Sequence, residues 1–305
     1  MLRMPATTTK LGGRFALGAA LLLGAAPAHA QQDLMQQLNH LTGDSLRREL
    51  TVATFKGTRI INGQSIETPG AGSLLFLISH RFGALNSGAY NFFGLDQATI
   101  RLGLEYGLTD RLAVGVGRSS LEKTFDGFGK YRLLRQGTGP GALPVSVTLF
   151  ASAALGSLRY EAQPERTAAS RLTYTYQALL ARKFSPALSV QLMPTFLHRN
   201  YVDLRREQND VLALGLAARQ KLTKRFALTG EYYYLLPGAT ADAFRNSLAL
   251  GFDIETGGHV FQLHVTNSQG MIEKFFIPQT TGNFLKGDIF FGFNVSRAFQ
   301  LRKQP

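Results

Sequence analysis

From residue 70 onward, apolar and polar positions alternate with a period of two. In 97–107, Ala98, Ile100, Leu102, Leu104 and Tyr106 share one face, and Gln97, Thr99, Arg101, Gly103 and Glu105 share the other. In 145–153, Val145, Val147, Leu149, Ala151 and Ala153 oppose Ser146, Thr148, Phe150 and Ser152. Leu248, Leu250, Phe252 and Ile254 oppose Ser247, Ala249, Gly251 and Asp253 in 246–254. Leu285, Ile289, Phe291, Phe293 and Val295 oppose Lys286, Asp288, Phe290, Gly292, Asn294 and Ser296 in 285–296. Successive side chains of a strand point to opposite faces, so this spacing predicts strands with one apolar and one polar side. It predicts twelve of them, over 70–82, 97–107, 111–119, 124–134, 144–155, 171–183, 188–199, 209–220, 226–236, 246–254, 259–267 and 284–297.

The links between them carry a second pattern. Short links at 108–110, 184–187, 221–225 and 255–258 alternate with mostly longer ones at 83–96, 156–170, 200–208, 237–245 and 268–283. The link at 120–123 and the Gly/Pro link at 135–143 depart from this habit. Short turns at one end and long loops at the other are the pattern of outer-membrane barrels. About ten residues at a rise of ~3.3 Å, tilted by ~40°, span roughly the 25 Å of an outer-membrane apolar band. The expected fold class is therefore all-β: a transmembrane antiparallel up-and-down barrel of about twelve strands over 70–299, with a C-terminal tail at 300–305. A soluble β-barrel or sandwich would also alternate. Its buried face would be filled with large apolar residues, whereas here the inward parity reads as Ser, Thr, Gly, Gln and charged residues, a poor dry core.

The first 69 residues read differently. Arg3, Lys10 and Arg14 precede an apolar run from Phe15 to Pro27 and then Ala28-His29-Ala30, the order of a secretory signal peptide cleaved after Ala30. The chain left after that cleavage would carry a net charge of +10. Leu34, Leu38 and Leu41 stand at helical spacing in 31–48, which predicts a short periplasmic helix or tether. Residues 49–69 are β-prone without clean alternation, and a thirteenth wall strand would break the even count of a bacterial barrel. This segment is expected to enter the lumen and partly plug it, with Lys56 and Arg59 pairing with carboxylates such as Glu105, Asp126, Glu231 or Asp288.

Four stretches together resemble a known family: ATFKGTRIING (53–63), ISHRFGALNSG (78–88), FGLDQATIRLGLEYGLTDRLAVGVGRSS (93–120) and KTFDGFGKYRLLRQ (123–136). The resemblance is to an uncharacterised family of bacterial outer-membrane β-barrels, a membrane β-barrel domain of unknown function. It implies the outer membrane of a Gram-negative bacterium and supports the barrel, but implies no catalytic or binding residues.

Composition narrows the chemistry. The 305 residues include no Cys and no Trp, which removes disulfides, thiolate metal sites, Cys nucleophiles and lipoprotein anchors. His259 and His264 are five apart and point to opposite faces of a strand, so they cannot chelate one ion together. No cofactor is expected. Ser79 and His80 are adjacent and face opposite ways, and the loop acids Asp203, Asp210 and Asp242 are scattered among arginines, so an outer-membrane enzyme is the least favoured reading. Gly115-Val116-Gly117 lies within a strand and is expected to let lumen contents or a neighbouring strand approach closely.

Parity places Arg101, Glu105, Asp126, Lys130, Arg132, Gln177, Gln191, Glu231, Asp253, Gln262, His264, Lys286 and Asp288 inside the barrel. The positive charge is spread over loops and strand ends, so the expected partners are outer-membrane lipid and lipopolysaccharide, with a periplasmic protein at 31–48 and no nucleic acid. The sequence points first to a passive or gated channel for small polar or charged solutes. Its alternative is a non-conducting structural or interaction barrel.

Overall fold

The structure, a computed structural model, describes residues 48–158, 167–202, 207–256 and 258–302. The expected signal peptide and nearly all of the tether at 31–48 lie outside these residues. Among the described residues, twelve strands form a closed antiparallel barrel. They are β1 (Ser73–Ala84), β2 (Ala98–Gly107), β3 (Leu112–Ser119), β4 (Phe125–Leu134), β5 (Ser146–Leu155) and β6 (Leu172–Lys183), followed by β7 (Leu188–Arg199), β8 (Asp210–Lys221), β9 (Phe226–Leu235), β10 (Ser247–Glu255), β11 (His259–Thr266) and β12 (Phe290–Gln300). Each strand pairs with its neighbours in sequence, and β12 returns to β1 from Phe293↔His80 to Gln300↔Ser73. Closure leaves no edge, so each wall strand has a ladder partner on both sides. Residues Glu49–Leu50 form a separate two-stranded ribbon with Gly137–Thr138.

The alternation decides which side faces out. In β2, Leu102 is 46% exposed on the outer face while its neighbour Arg101 is 1% exposed inside. In β8, Leu212, Leu214 and Leu216 point out and Val211, Ala213 and Ala217 point in. The outside is thus a belt of Leu, Ile, Val and Phe. Its aromatic side chains pair across strands, as Tyr176 does with Phe196 (6.3 Å) and His80 with Phe293 (4.9 Å).

The ladder slips between Arg132 and Leu134 in β4 and between Phe290 and Gly292 in β12. The last strand begins at Phe290, later than its pattern predicts. Phe284–Lys286 winds instead into a 3-10 turn whose cap is Asn283, with its side chain accepting from Leu285 N.

Two features depart from expectation inside the barrel. The inner face is not polar throughout. On the arc β5–β9, Phe150, Leu179, Met193, Leu197, Val211, Tyr233 and Leu235 make an apolar half-core. The opposite arc, β10 through β4, carries the buried Asp253, Gln262, His264, Asn294, Arg81, Arg101, Glu105, Asp126 and Lys130. The second departure is the link between β11 and β12, expected as an outer loop. It folds inward, burying Met271, Ile272, Phe275, Phe276 and Ile277 around the helical turn Glu273–Phe276.

The orientation of the faces can be tested within one strand. Leu216→Arg sets a cation against lipid near mid-wall, and Gln220→Arg sets one on the same face at the strand end. We expect Leu216→Arg to destabilise the refolded barrel by about 2–4 kcal/mol and Gln220→Arg by about 0–1 kcal/mol, read from denaturant titrations in lipid vesicles. Equal costs would mean that this face of β8 does not meet hydrocarbon.

Candidate functional site: the occupied barrel interior

Residues 54–67 run into the barrel as an irregular hairpin. Its turn is closed by Ile60 N donating to Gly63 O (2.8 Å), and Ser65 N donates to Thr58 O (2.9 Å). A segment without regular structure leaves its backbone donors and acceptors open, and inside a barrel they must find side-chain partners. The wall provides them.

The hairpin tip rests on one carboxylate. Glu231 in β9 accepts from the backbone N–H groups of Ile61 (3.2 Å), Asn62 (2.7 Å) and Gly63 (3.0 Å). Opposite it, Asn294 donates to Ile61 O (2.9 Å) and Gln262 to Ile60 O (2.6 Å). Arg81 donates to the side-chain oxygen of Asn62 and also contacts the His264 ring. On the returning limb, Gln191 donates to Gln64 O (2.7 Å) and accepts from Ile66 N (2.9 Å), and Thr148 donates to Ile66 O (2.9 Å). Lys130 Nζ reaches the carbonyls of Thr58 (2.7 Å), Ser65 (3.4 Å) and Glu67 (3.3 Å). Hydrogen bonds to charged groups contribute about 1.5–3 kcal/mol each, so Glu231, Lys130 and Arg81 are the strongest anchors of the segment. Phe55, Ile60, Ile61 and Ile66 complete the grip by packing on the apolar arc.

Ion pairs reinforce the polar arc. Arg101 forks onto Asp126 at 2.9 and 2.5 Å, and Lys130 lies 3.7 Å from Glu105. A Cβ at Gly117 would lie 2.1 Å from the Arg101 guanidinium, so the bare wall at that point is what admits the side chain. Arg219 pairs with Asp253 (3.0 Å) and Glu255 (2.6 Å).

Of the interior residues read from parity, Arg101, Glu105, Asp126, Lys130, Gln177, Gln191, Glu231, Asp253, Gln262 and His264 are buried inside, and Arg132 sits at the short-link end, 3.3 Å from Glu67. Lys286 and Asp288 do not line the lumen. The turn at 284–286 interrupts the alternation and leaves both in the loop before β12. Asp288 there accepts from Asn283 N (2.9 Å) and Asn86 Nδ2 (2.6 Å), which hold its carboxyl below the usual carboxylate range. Lys56 and Arg59 also find partners other than those expected. Lys56 pairs with Glu255 (3.1 Å) at the short-link mouth, and Arg59 with Glu273 (3.9 Å) of the inward loop. Glu273, which also accepts from Gln64 (3.0 Å), was missed because it lies in a link with no strand period. The apolar cluster Met271-Ile272 and Phe275-Phe276-Ile277 was the available signal, since a solvated loop has no need of it.

A closed barrel with an apolar outer belt and a filled interior is the architecture of a membrane-embedded β-barrel. The chain belongs to the family described as "Membrane bound beta barrel domain (DUF5777)", which matches residues 55–299. That stretch starts at Phe55 and so takes in the hairpin as well as the wall. No curated protein matches the chain in sequence. Among solved structures it is similar to the KdgM porin (11% identity, TM-score 0.46, covering 74% of this chain and 99% of that one). It is also similar to the NanC porin (9%, TM-score 0.47, 73% and 98%) and to an outer membrane channel from Pseudomonas putida F1 (15%, TM-score 0.45, 76% and 97%).

The fit of the hairpin tip is directly testable. A Cβ on Gly63 would lie 2.3 Å from the Tyr233 hydroxyl and 3.3 Å from Glu231 Oε2. Gly63→Ala is expected to lift the tip and raise amide hydrogen exchange at 61–63 by about tenfold or more, the loss of one charge-assisted hydrogen bond. Gly129→Ala, with open space around it, should leave that exchange unchanged. Equal protection in both variants would show that the tip does not depend on this contact.

Proposed function

We propose that this protein is an outer-membrane barrel that works as a gated channel for small polar or charged solutes, closed in this structure by residues 54–67. One observation carries the reading: the hairpin begins and ends at the same mouth. Glu67 accepts from Thr54 N (2.9 Å) and Phe55 N (3.3 Å), tying its two ends together beside Arg132. A hairpin inserted from one end can be withdrawn without unthreading. Its polar anchors are also ones that water can replace, so opening costs far less than disrupting the wall ladders. Withdrawal would expose a pathway flanked on one arc by Arg101, Asp126, Lys130, Glu105 and Arg81, a surface of mixed sign suited to hydrated solutes.

The second reading is a non-conducting barrel with a periplasmic protein bound through residues 31–48. The packing of Phe55, Ile60, Ile61 and Ile66 on the apolar arc favours it, because this contact is lost on withdrawal. Planar-bilayer recordings separate the two. Glu231→Gln keeps the shape of the anchor and removes its charge. We expect its open probability to rise by about tenfold over the unaltered chain, in line with the loss of ~1.5 kcal/mol of charged hydrogen bonding. A folded barrel that stays silent both as Glu231→Gln and after deletion of 55–67 would favour the non-conducting reading.

Topology has its own test in this Cys-free chain. Thr167→Cys lies in a long link, and Thr109→Cys lies in a short one. An impermeant thiol reagent applied to intact cells should label Thr167→Cys and spare Thr109→Cys. The reverse pattern would invert the barrel in the membrane.

A further inference from the structure

One concavity lies on the outside of the wall. A groove of about 790 Å3 runs across the outer face of β3–β8. Its floor is made by small outward residues, Gly129, Ala151, Ala178 and Pro194, and its flanks include Tyr131, Tyr176 and Phe196. Cross-strand register places Gly129 beside Ala151 and Tyr131 beside Leu149, which in turn pairs with Ala178. Ala151 pairs in turn with Tyr176, so the small residues step diagonally between Tyr176 and Leu149 and line one groove. Pro194 stands in the middle of β7, where it has no N–H to give, and the pairing of β6 with β7 lapses between Gln177↔Thr195 and Leu180↔Leu192. Proline is normally kept out of a doubly paired strand because a ladder bond is lost there. Here Pro194 lies in the groove floor beside Phe196 on the same face of β7.

Charge marks one end of the groove. Leu112 lines the groove beside Tyr131, and Arg111 immediately precedes it at the short-link rim. Ala178, Leu180 and Arg182 share the outer face of β6, so Arg182 lies below the floor toward the same rim. Four residues of tilted strand place Arg182 about 10 Å from the level of Ala178, roughly the step from mid-bilayer to headgroup depth. Both side chains are exposed, and Arg182 stacks over Phe184 at 5.1 Å. Among the described residues neither is paired with a carboxylate. An apolar trough at hydrocarbon depth with two arginines at the rim beside it matches a hydrocarbon chain joined to an anionic headgroup.

We propose that this groove is a lipid-binding site, holding one acyl chain of an anionic phospholipid whose phosphate is held by Arg111 and Arg182. The site rests on the membrane assignment of the barrel and is independent of the gate, so the failure of one reading leaves the other standing.

The test uses the purified full chain in nanodiscs of dioleoylphosphatidylglycerol or dioleoylphosphatidylcholine, released into the mass spectrometer in its folded state. One retained phosphatidylglycerol per barrel is expected, with weaker retention of phosphatidylcholine. Ala151→Phe, which fills the floor, should lower retention about tenfold by displacing roughly two methylene contacts. The double variant Arg111→Gln with Arg182→Gln leaves the apolar wall unaltered and so guards against a folding defect. It should lower phosphatidylglycerol retention about fivefold or more and leave phosphatidylcholine unchanged. Equal retention of both lipids by the unaltered chain, or retention insensitive to both variants, overturns the proposal. So does a lipid-free dimer that Ala151→Phe dissociates, which would make the groove a contact between two copies.

Discussion

A strand crossing hydrocarbon can send its N–H and C=O groups only to another strand, and a sheet with a free edge would leave a row of them unpaired. The return of β12 to β1 is therefore the constraint from which the remaining architecture follows. Closure fixes the side-chain parity of all twelve strands at once. Outside, that parity must be apolar. Inside, it is released from the demands of lipid and can serve whatever occupies the lumen. The slips at Arg132/Leu134 and Phe290/Gly292 show where the ring absorbs its irregularities, both next to chain that leaves the wall.

The interior is divided because its occupant is. A hairpin with no regular structure presents two things at once: apolar side chains and unmatched backbone groups. Leu179, Met193 and Tyr233 receive the first, while Glu231, Gln262, Asn294, Gln191 and Lys130 receive the second. The polar wall residues are thus less a water path in this state than a set of substitutes for a missing ladder. Removing the hairpin would return them to water, where their hydrogen bonds can be remade. The apolar arc would have no such replacement.

The wall was legible in the sequence because strict two-residue alternation survives in most of its strands, and because lipid leaves no freedom on the outer face. The apolar arc was hidden for the opposite reason. In β6–β9 the inward positions Leu179, Met193, Leu197, Val211 and Leu235 are as apolar as the outward ones, so the contrast that marks a lumen survives there only at residues such as Gln177, Gln191 and Glu231. Lys286 and Asp288 were carried inside by extending a strand through a stretch that turns instead. The anchors of the hairpin were visible only as inward polar residues. Nothing in their spacing reveals that Glu231 would take three N–H groups of the tip, since that depends on the path of a segment without periodicity.

The inward loop makes the occupancy of the lumen cooperative. Glu273 receives both Gln64 and Arg59 from the hairpin, and Arg59 also donates to Met271 O (3.3 Å). Phe276 of the same loop meets the Tyr233 ring edge-on at 5.0 Å, beside the Glu231 anchor. On its other side the loop is held by Lys274 pairing with Glu122 (2.6 Å) in the turn between β3 and β4. Arg59 and Glu273 are each about 4% exposed, and separating a buried pair leaves two uncompensated charges at a cost of about 3–5 kcal/mol unless water follows. Withdrawing the hairpin alone would strand Glu273, and lifting the loop alone would strand Arg59. The arrangement therefore favours two populated conditions, both stoppers in place or both displaced and hydrated, over any state in which only one has moved.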